Sequence, residues 1–416
     1  MNKLITKYLY TLLAIASLSF VSANFFNFSV FTLLKYILLF AFAVLVLVYM
    51  RNHPLVFRFD VLTKLVLAML VIIVIPGSIF SSEIEMSLFR GILAILVFVT
   101  IFGTIGILGS KKVISILFNF FIYVSVIVII LTDFLLLTGD VRAFHMGNLR
   151  SFFANANAFG TLVALFFLPA LIYKILVNSK SKVKYIYVLI FIHLLILFWF
   201  IRSRSALLSF TVFLSLFIYV KYFVWHKKRI RNVTLAFSIL TILGIALVSN
   251  ASVQNYLSSY FFKYEYLQKQ AGYSVVSTRA QLWSERIEGI EEKPLTGWGY
   301  GVNSIDYLRS NYIPKGITEK GNSALSILEE FGLFFGLLLI FIIGVIVTRL
   351  LVTSKRNLQN SELFLIVSSL LIASLVHVNF ESWLLFFGNP NAMFFWYLLV
   401  AAIHFPKEKE TIRRSE

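Results

Sequence analysis

The chain has 416 residues, of which 59% are hydrophobic and 13% are charged, and its mean hydropathy is +0.88. A soluble core cannot bury that much apolar surface, so the composition excludes a soluble globular protein. The net charge of +18 does not indicate nucleic-acid binding, because basic residues recur in every second connection, as in cytoplasmic loops. Cysteine is absent, which excludes disulfides and thiolate chemistry.

Apolar segments follow one another along the chain, each long enough to cross a hydrocarbon layer of roughly 30 Å. About twelve are predicted, at 5–23, 30–50, 61–80, 91–109, 113–137, 158–177, 185–201, 205–224, 233–250, 325–348, 361–378 and 391–405. Both termini are expected in the cytoplasm, because all the basic connections then lie inside. The first segment is expected to remain as a helix, since it lacks the cleavage site of a signal peptide.

The expected fold is an all-α integral membrane protein with about twelve transmembrane helices. Residues 1–249 would contain helices 1–9, and 250–322 would form one long extracytoplasmic loop between helices 9 and 10. Residues 323–405 would contain helices 10–12, followed by a basic cytoplasmic tail at 406–416.

The basic residues of the short connections on the predicted outer face are all arginines, namely Arg90, Arg142, Arg150, Arg202 and Arg204. A guanidinium group presents a planar fork of donors that matches phosphate oxygens. The alternative role for each arginine is to reach lipid phosphates at the membrane interface.

The long loop contains a predicted helix that runs to about Glu292 and that Ser277 or Thr278 can cap, and Thr278 with Gln281 fits a capping box. Arg279 then lies in the first turn, where free N–H groups and the helix dipole favour an anion. Arg286 lies on nearly the same face of this helix.

Two other parts of the loop have local signatures. Tyrosines recur every four residues from Tyr256 to Tyr264, which predicts an interfacial helix for an aromatic belt or for sugar stacking. The segment Gly297-Trp298-Gly299-Tyr300-Gly301 lacks the Lys-Ser/Thr ending of a phosphate loop and predicts a tight turn. The histidines are scattered, so neither a metal site nor a cofactor is expected.

Four motifs between residues 150 and 336 resemble, in order, those of the O-antigen ligase and Wzy polymerase superfamily. They are the Asn-rich segment 150–160, the Ser-Arg segment 201–206, Thr278-Arg279 with Trp283 and the Pro-Leu-Thr-Gly-Trp-Gly segment 294–299, and segment 322–336 with Asn322 and Glu330-Phe331-Gly332. Each motif alone is weak, but the order and the helix count together are specific.

The resemblance implies transfer of an oligosaccharide from a polyprenyl (undecaprenyl) diphosphate to a sugar hydroxyl, outside the bacterial plasma membrane. Arg204 and Arg279 would stabilise the leaving diphosphate, so the implied displacement is inverting and metal-independent. The substrate-binding residues expected from the motifs are Arg150, Asn157, Arg202, Trp283, Arg286 and Asn322.

One departure from the family pattern concerns the general base. Ligases of this family typically have a histidine before the Asn of the fourth motif, but this chain has Gly321. Candidates to replace it are Glu381, Glu319 and His145, of which we prefer Glu381 because it is predicted at an apolar rim. A solvated or Arg-paired carboxylate is the alternative for Glu381. The missing histidine favours a polymerase over a ligase acting on lipid A-core.

A flippase or other transporter of lipid-linked oligosaccharides is the alternative from another class. Transporters usually contain repeats and charges near the middle of the membrane. The one hint of a repeat here, Asn155 against Asn389, is better explained by helix capping. Expected partners are the lipid-linked oligosaccharide, membrane lipids, a flippase and a chain-length regulator.

Overall fold

The computed structural model describes residues 2–18, 29–52, 61–145, 148–153, 155–224, 278–304, 320–357 and 362–404. Almost all of them are helical. The helices are α1 Asn2–Leu18, α2 Ser29–Asn52, α3 Val61–Ile79, α4 Ile84–Leu108, α5 Ser110–Leu137, α6 Ala156–Leu162, α7 Leu168–Val177, α8 Val183–Ile201, α9 Arg204–Ile218, α10 Thr278–Glu292, α11 Ser323–Asn357, α12 Glu362–His377 and α13 Pro390–His404. A π-helical turn, Val163–Phe167, joins α6 to α7, and another, Tyr219–Val224, extends α9. Strands β1 (Phe144–His145) and β2 (Asn148–Leu149) form a short antiparallel pair.

In the described ranges, seven helical spans are long and apolar enough to cross a membrane, and three shorter helices are also apolar. The chain is therefore a multi-pass membrane protein, as predicted. The predicted span at 233–250, the interfacial helix from Tyr256 to Tyr264, Glu319 and the tail at 406–416 lie outside the described residues. The count of twelve helices and the position of the long loop stay predictions.

The start of one helix differs from its prediction by seven residues. Helix α4 begins at Ile84 rather than at 91, so Arg90 lies inside a helix and not in a connection. The polar start of α4 is stable because the buried hydroxyl of Ser87 donates to the carbonyl of Tyr300 at 3.1 Å. Ser87 also shares a hydrogen bond of 2.7 Å with Ser81.

The last helix, α13, lies at the centre of the bundle. Its side chains from Pro390 to Ile403 are all buried, against α1, α4, α5, α11 and α12. Its apolar side chains cover the whole circumference, so the helix can be buried on every side. The outer helices α2 and α8 instead expose apolar side chains such as Phe40 and Leu189, as lipid contact requires.

Helix α11 is broken at Gly332, where φ is 72° and ψ is 175°. The loop that follows α10 fills the break: the N–H of Trp298 donates to the carbonyl of Glu329 at 3.0 Å. The N–H of Leu333 donates to the carbonyl of Pro294 at 2.7 Å. These bonds satisfy backbone groups that the kink would leave unpaired.

The predicted tight turn after α10 is confirmed. Gly297, Gly299 and Gly301 have φ values of 69°, 107° and 78°. A side chain at Gly297 would collide with the backbone of Glu330, and one at Gly301 would collide with the guanidinium group of Arg90. The glycines therefore serve close packing of this loop against α11 and α4.

We expect Gly332→Ala to destabilise the protein, because a Cβ atom there would collide with the carbonyl group of Leu295. The positive φ alone costs about 1–2 kcal/mol in a non-glycine residue. Gly344→Ala is the matched control on the same helix, since its Cβ meets nothing within 4 Å. Thermal unfolding in detergent should show a lower midpoint for Gly332→Ala only, and equal midpoints for both variants would contradict this account of the kink.

Candidate active site

The motifs meet at one end of the helix bundle, which we call the loop face. It is formed by the connections 80–83, 138–153, 202–203, 293–304, 320–322 and 378–389, together with α10. Hydrogen bonds join several of these connections to one another. This end of the bundle is where the candidate site residues are expected to act.

The Asn-rich and Ser-Arg motifs contact each other directly. The hydroxyl of Ser203 donates to Oδ1 of Asn157 at 3.2 Å. A Cβ atom at Gly160 would come within 2.8 Å of Ser203, so glycine at this position permits the close approach of α6 and α9. Asn155 caps α6 by accepting from the N–H of Ala158 at 2.7 Å, which confirms its predicted capping role.

The two arginines of the Ser-Arg motif differ in environment. Arg202 ends α8 in the left-handed conformation, with φ at 54°, and is half-buried. Arg204 is the first residue of α9, and its side chain is exposed at the loop face. A left-handed residue is uncommon outside glycine, and here it turns the chain sharply between two helices.

Arg150 is 8% exposed, and its Nε donates to the carbonyl of Arg142 at 2.9 Å. Arg142 itself is exposed and pairs with Asp140 at 2.7 Å. The hydrogen bond from Arg142 lowers the pKa of Asp140. Arg150 therefore holds the connection before α6, in addition to any contact with substrate.

His377, at the end of α12, links the Asn-rich motif to the segment that carries Glu381. It is fully buried, and its Nε2 lies 3.1 Å from the hydroxyl of Thr161, one turn after Asn157. The indole N–H of Trp383 donates to Nδ1 at 3.2 Å. Since an indole N–H can only donate, a neutral His377 must carry its proton on Nε2. Sequence reasoning missed this histidine, because no local pattern relates it to Thr161.

Helix α10 runs from Thr278 to Glu292, which agrees with its predicted bounds. Arg279 is its second residue, and the side chain of Arg279 lies outside the described part of the chain. Trp283 is half-buried, and its indole N–H donates to the carbonyl of Gly321 at 3.3 Å. The helix is thereby attached to the start of α11.

Arg286 is fully buried and belongs to an ion cluster with Glu329. Its Nη1 lies 2.6 Å from Oε1 of Glu329 and also donates to Asn303. Ser304 donates to the same carboxylate oxygen through its N–H, at 3.0 Å. Lys320 lies 3.2 Å from the other oxygen of Glu329. These bonds give Arg286 a structural role, and its predicted contact with substrate stays a prediction.

Gly321 and Asn322 start α11. The φ of Gly321 is 73°, a left-handed conformation that glycine adopts without strain. Oδ1 of Asn322 accepts from the N–H groups of Ala324 and Leu325 at 2.8 and 3.1 Å, as an N-cap does. Its Nδ2 donates to the carbonyl of Asn379 at 3.1 Å, which ties α11 to the end of α12.

Glu381 is half-buried in the connection between α12 and α13. Its carbonyl accepts from the hydroxyl of Ser323 at 3.0 Å, so it lies beside the start of α11. Of the alternative bases, His145 lies in β1, and its side chain is outside the described part, as is all of Glu319. Among the described residues, no group of three His, Asp or Glu side chains could hold a metal ion.

Residues 189–341 match the family model Wzy_C, described as O-antigen ligase. This part of the chain is therefore similar to the O-antigen ligase family. The match confirms the resemblance to the O-antigen ligase and polymerase superfamily, whose members carry out glycosyl transfer in O-antigen assembly. It includes Arg202, Arg204, Arg279 and Asn322, whereas the Asn-rich motif precedes it and Glu381 follows it. No curated protein matches the chain.

We expect Arg286→Ala to destabilise the protein by about 3–5 kcal/mol, because it leaves the buried carboxylate of Glu329 without its arginine. Glu288→Ala is the control on the exposed face of the same helix, with an expected change within about 0.5 kcal/mol. Thermal unfolding measures both variants. If Arg286→Ala keeps wild-type stability but loses affinity for polyprenyl diphosphate, Arg286 contacts the substrate instead.

Proposed function

We propose that the protein is a glycosyltransferase that polymerises polyprenyl-diphosphate-linked oligosaccharide repeat units of a surface polysaccharide. The family match supports glycosyl transfer in O-antigen assembly. The observation that carries the proposal is the continuity of contacts at the loop face. Arg204 follows Ser203, which contacts Asn157, and Thr161 and His377 connect that helix to the segment of Glu381.

The proposed reaction is a single displacement. The oxygen of an acceptor sugar hydroxyl attacks the anomeric carbon, and the bond from that carbon to the diphosphate oxygen breaks. The electron pair leaves with the diphosphate, the configuration inverts, and the hydroxyl proton passes to a base. Arg204 and Arg279 would offset the charge that develops on the diphosphate.

Glu381 is the proposed base. Its carbonyl accepts a hydrogen bond from Ser323, the first residue of α11. This bond fixes the backbone of Glu381 at the loop face. A positioned carboxylate suits proton transfer from a hydroxyl that is attacking a good donor. Within the motif set, Asn157, Arg202, Trp283 and Asn322 are proposed to position the substrate.

Gly321 supports polymerase over ligase, because it stands where family ligases typically have a histidine that can act as the base. The ligase remains the second candidate, since the matching family is described as O-antigen ligase. In either role we propose the bacterial plasma membrane with the loop face outside and both termini in the cytoplasm, which the distribution of basic residues supports. A flippase and a chain-length regulator are the proposed partners.

A donor-only assay tests the proposed function. Purified protein in lipid nanodiscs is given lipid-linked repeat units without another acceptor, and products are separated by size. A polymerase is expected to produce a ladder of longer lipid-linked chains, whereas a ligase leaves the donor unchanged until lipid A-core is added.

In the same assay, Arg204→Lys and Arg279→Lys should lower the rate on the order of 10² to 10³-fold, because lysine cannot reproduce the guanidinium fork. Arg142→Lys is the exposed control, and ladders of normal rate from both test variants would remove these arginines from the mechanism.

Glu381→Gln should abolish chain extension while leaving thermal stability near that of the wild type, because the amide cannot accept the proton. Glu85→Gln, at the exposed start of α4, is the matched control and should extend chains normally. Unchanged extension by Glu381→Gln would show that another group is the base.

A further inference from the structure

A cleft at the loop face lies between α4, the start of α11 and the connection before α13. Arg90, Tyr300, Ser326, Glu330, Ser382 and Phe386 line it. None of these six belongs to the residues that we propose to bind the diphosphate or to accept the proton. The cleft is therefore a candidate for a separate binding function.

Arg90 forms one wall of the cleft. Its Nη1 donates to the carbonyl of Gly301 at 2.6 Å, and its guanidinium group lies over the ring of Phe386, 5.3 Å from the ring centre. Within the described part of the chain, Nε and Nη2 of Arg90 have no acceptor and Arg90 has no carboxylate partner. A rigid arginine with two donors to spare is suited to bind an oxygen-bearing ligand.

Glu330 forms the facing wall and is 8% exposed. Its Oε1 accepts from Lys320 at 2.6 Å, whereas its Oε2 has no donor among the described residues. Ser382 accepts from the N–H of Lys320 at 3.1 Å, and its own O–H has no acceptor in the described ranges. The cleft therefore offers unused donors and an unused acceptor together.

Tyr300 lies between the two charges. Burial raises the pKa of its hydroxyl group, the charge of Glu330 raises that pKa further, and the charge of Arg90 lowers it. Tyr300 stays a neutral phenol, which donates to the carbonyl of Leu385. The charges of Arg90 and Glu330 therefore belong to one site, which also contains the neutral ring of Tyr300.

We propose that this cleft binds the acceptor sugar. Sugar hydroxyl groups both donate and accept, so they can pair with Glu330 Oε2 on one side and with Arg90 and Ser382 on the other. A diphosphate offers only acceptor oxygens, so it would leave Oε2 of Glu330 without a donor. Ser382 directly follows Glu381, and Ser323, which also lines the cleft, holds the carbonyl of Glu381. An acceptor hydroxyl in the cleft thus lies beside the proposed base. This inference rests on the proposed function.

Direct binding tests the cleft independently of turnover. The probe is the repeat-unit oligosaccharide released by mild acid from the polysaccharide of the host strain, titrated calorimetrically into the full-length protein in nanodiscs. Ser382→Ala and Arg90→Gln should each raise the Kd for this saccharide about tenfold, the effect of losing one good hydrogen bond. Arg142→Gln, outside the cleft, should bind like the wild type. The Kd for undecaprenyl diphosphate should stay unchanged in all three variants.

The proposal is overturned if the wild type does not bind the saccharide, or if Ser382→Ala binds it as the wild type does. A parallel loss of undecaprenyl diphosphate binding would also overturn it, by assigning the cleft to the donor. Ser382→Ala removes only one hydroxyl group, so it decides the question even if Arg90→Gln fails to fold. Saccharide binding with the expected pattern, but without chain extension in the donor-only assay, would refute the proposed function and leave the cleft assignment standing.

Discussion

The loop face depends on one buried carboxylate, that of Glu329. Its side chain is fully buried at the start of α11, where an unpaired charge costs several kcal/mol. Arg286 from α10, Ser304 from the loop after it and Lys320 before α11 all bind this carboxylate. Because each partner comes from a different segment, folding must bring all of them together before the charge is compensated. The geometry of the site follows from that requirement.

Much of what the motifs encode is packing. Glycines in the Pro-Leu-Thr-Gly-Trp-Gly segment permit backbone contact with α11, and Gly332 breaks that helix so that the contact can form. Gly160 likewise lets α6 approach Ser203. Such positions tolerate no side chain. We therefore propose that burial separates the motif residues that fix the backbone from those that bind substrate. Buried Arg286 and exposed Arg204 are the clearest contrast.

The proposed chemistry fits this division. An exposed arginine that starts a helix can meet a charged lipid head, and donors aimed at a leaving group lower the barrier to its departure. A buried arginine that already binds a carboxylate has less to offer an external anion. The acceptor needs different recognition, namely donors and an acceptor at moderate charge, and the cleft between Arg90 and Glu330 supplies these. Separate sites for donor and acceptor would let one polymerase hold two similar substrates without confusion.

The amino-acid sequence was enough to predict the membrane class, the apolar helices of the described ranges and several of the turns. Apolar length sets a membrane span, and the bounds of α10 and the glycine turn follow from neighbouring residues. Other contacts join distant segments, so no local pattern predicts them. They are the pairing of Arg286 with Glu329, the contact of His377 with Thr161 and the place of Arg90 in a cleft. Helical periodicity states which residues share a face, but the partner of that face depends on how the whole bundle packs. For the same reason, a polar side chain that the sequence suggests as a ligand contact can instead form an ion pair inside the protein, as Arg286 does.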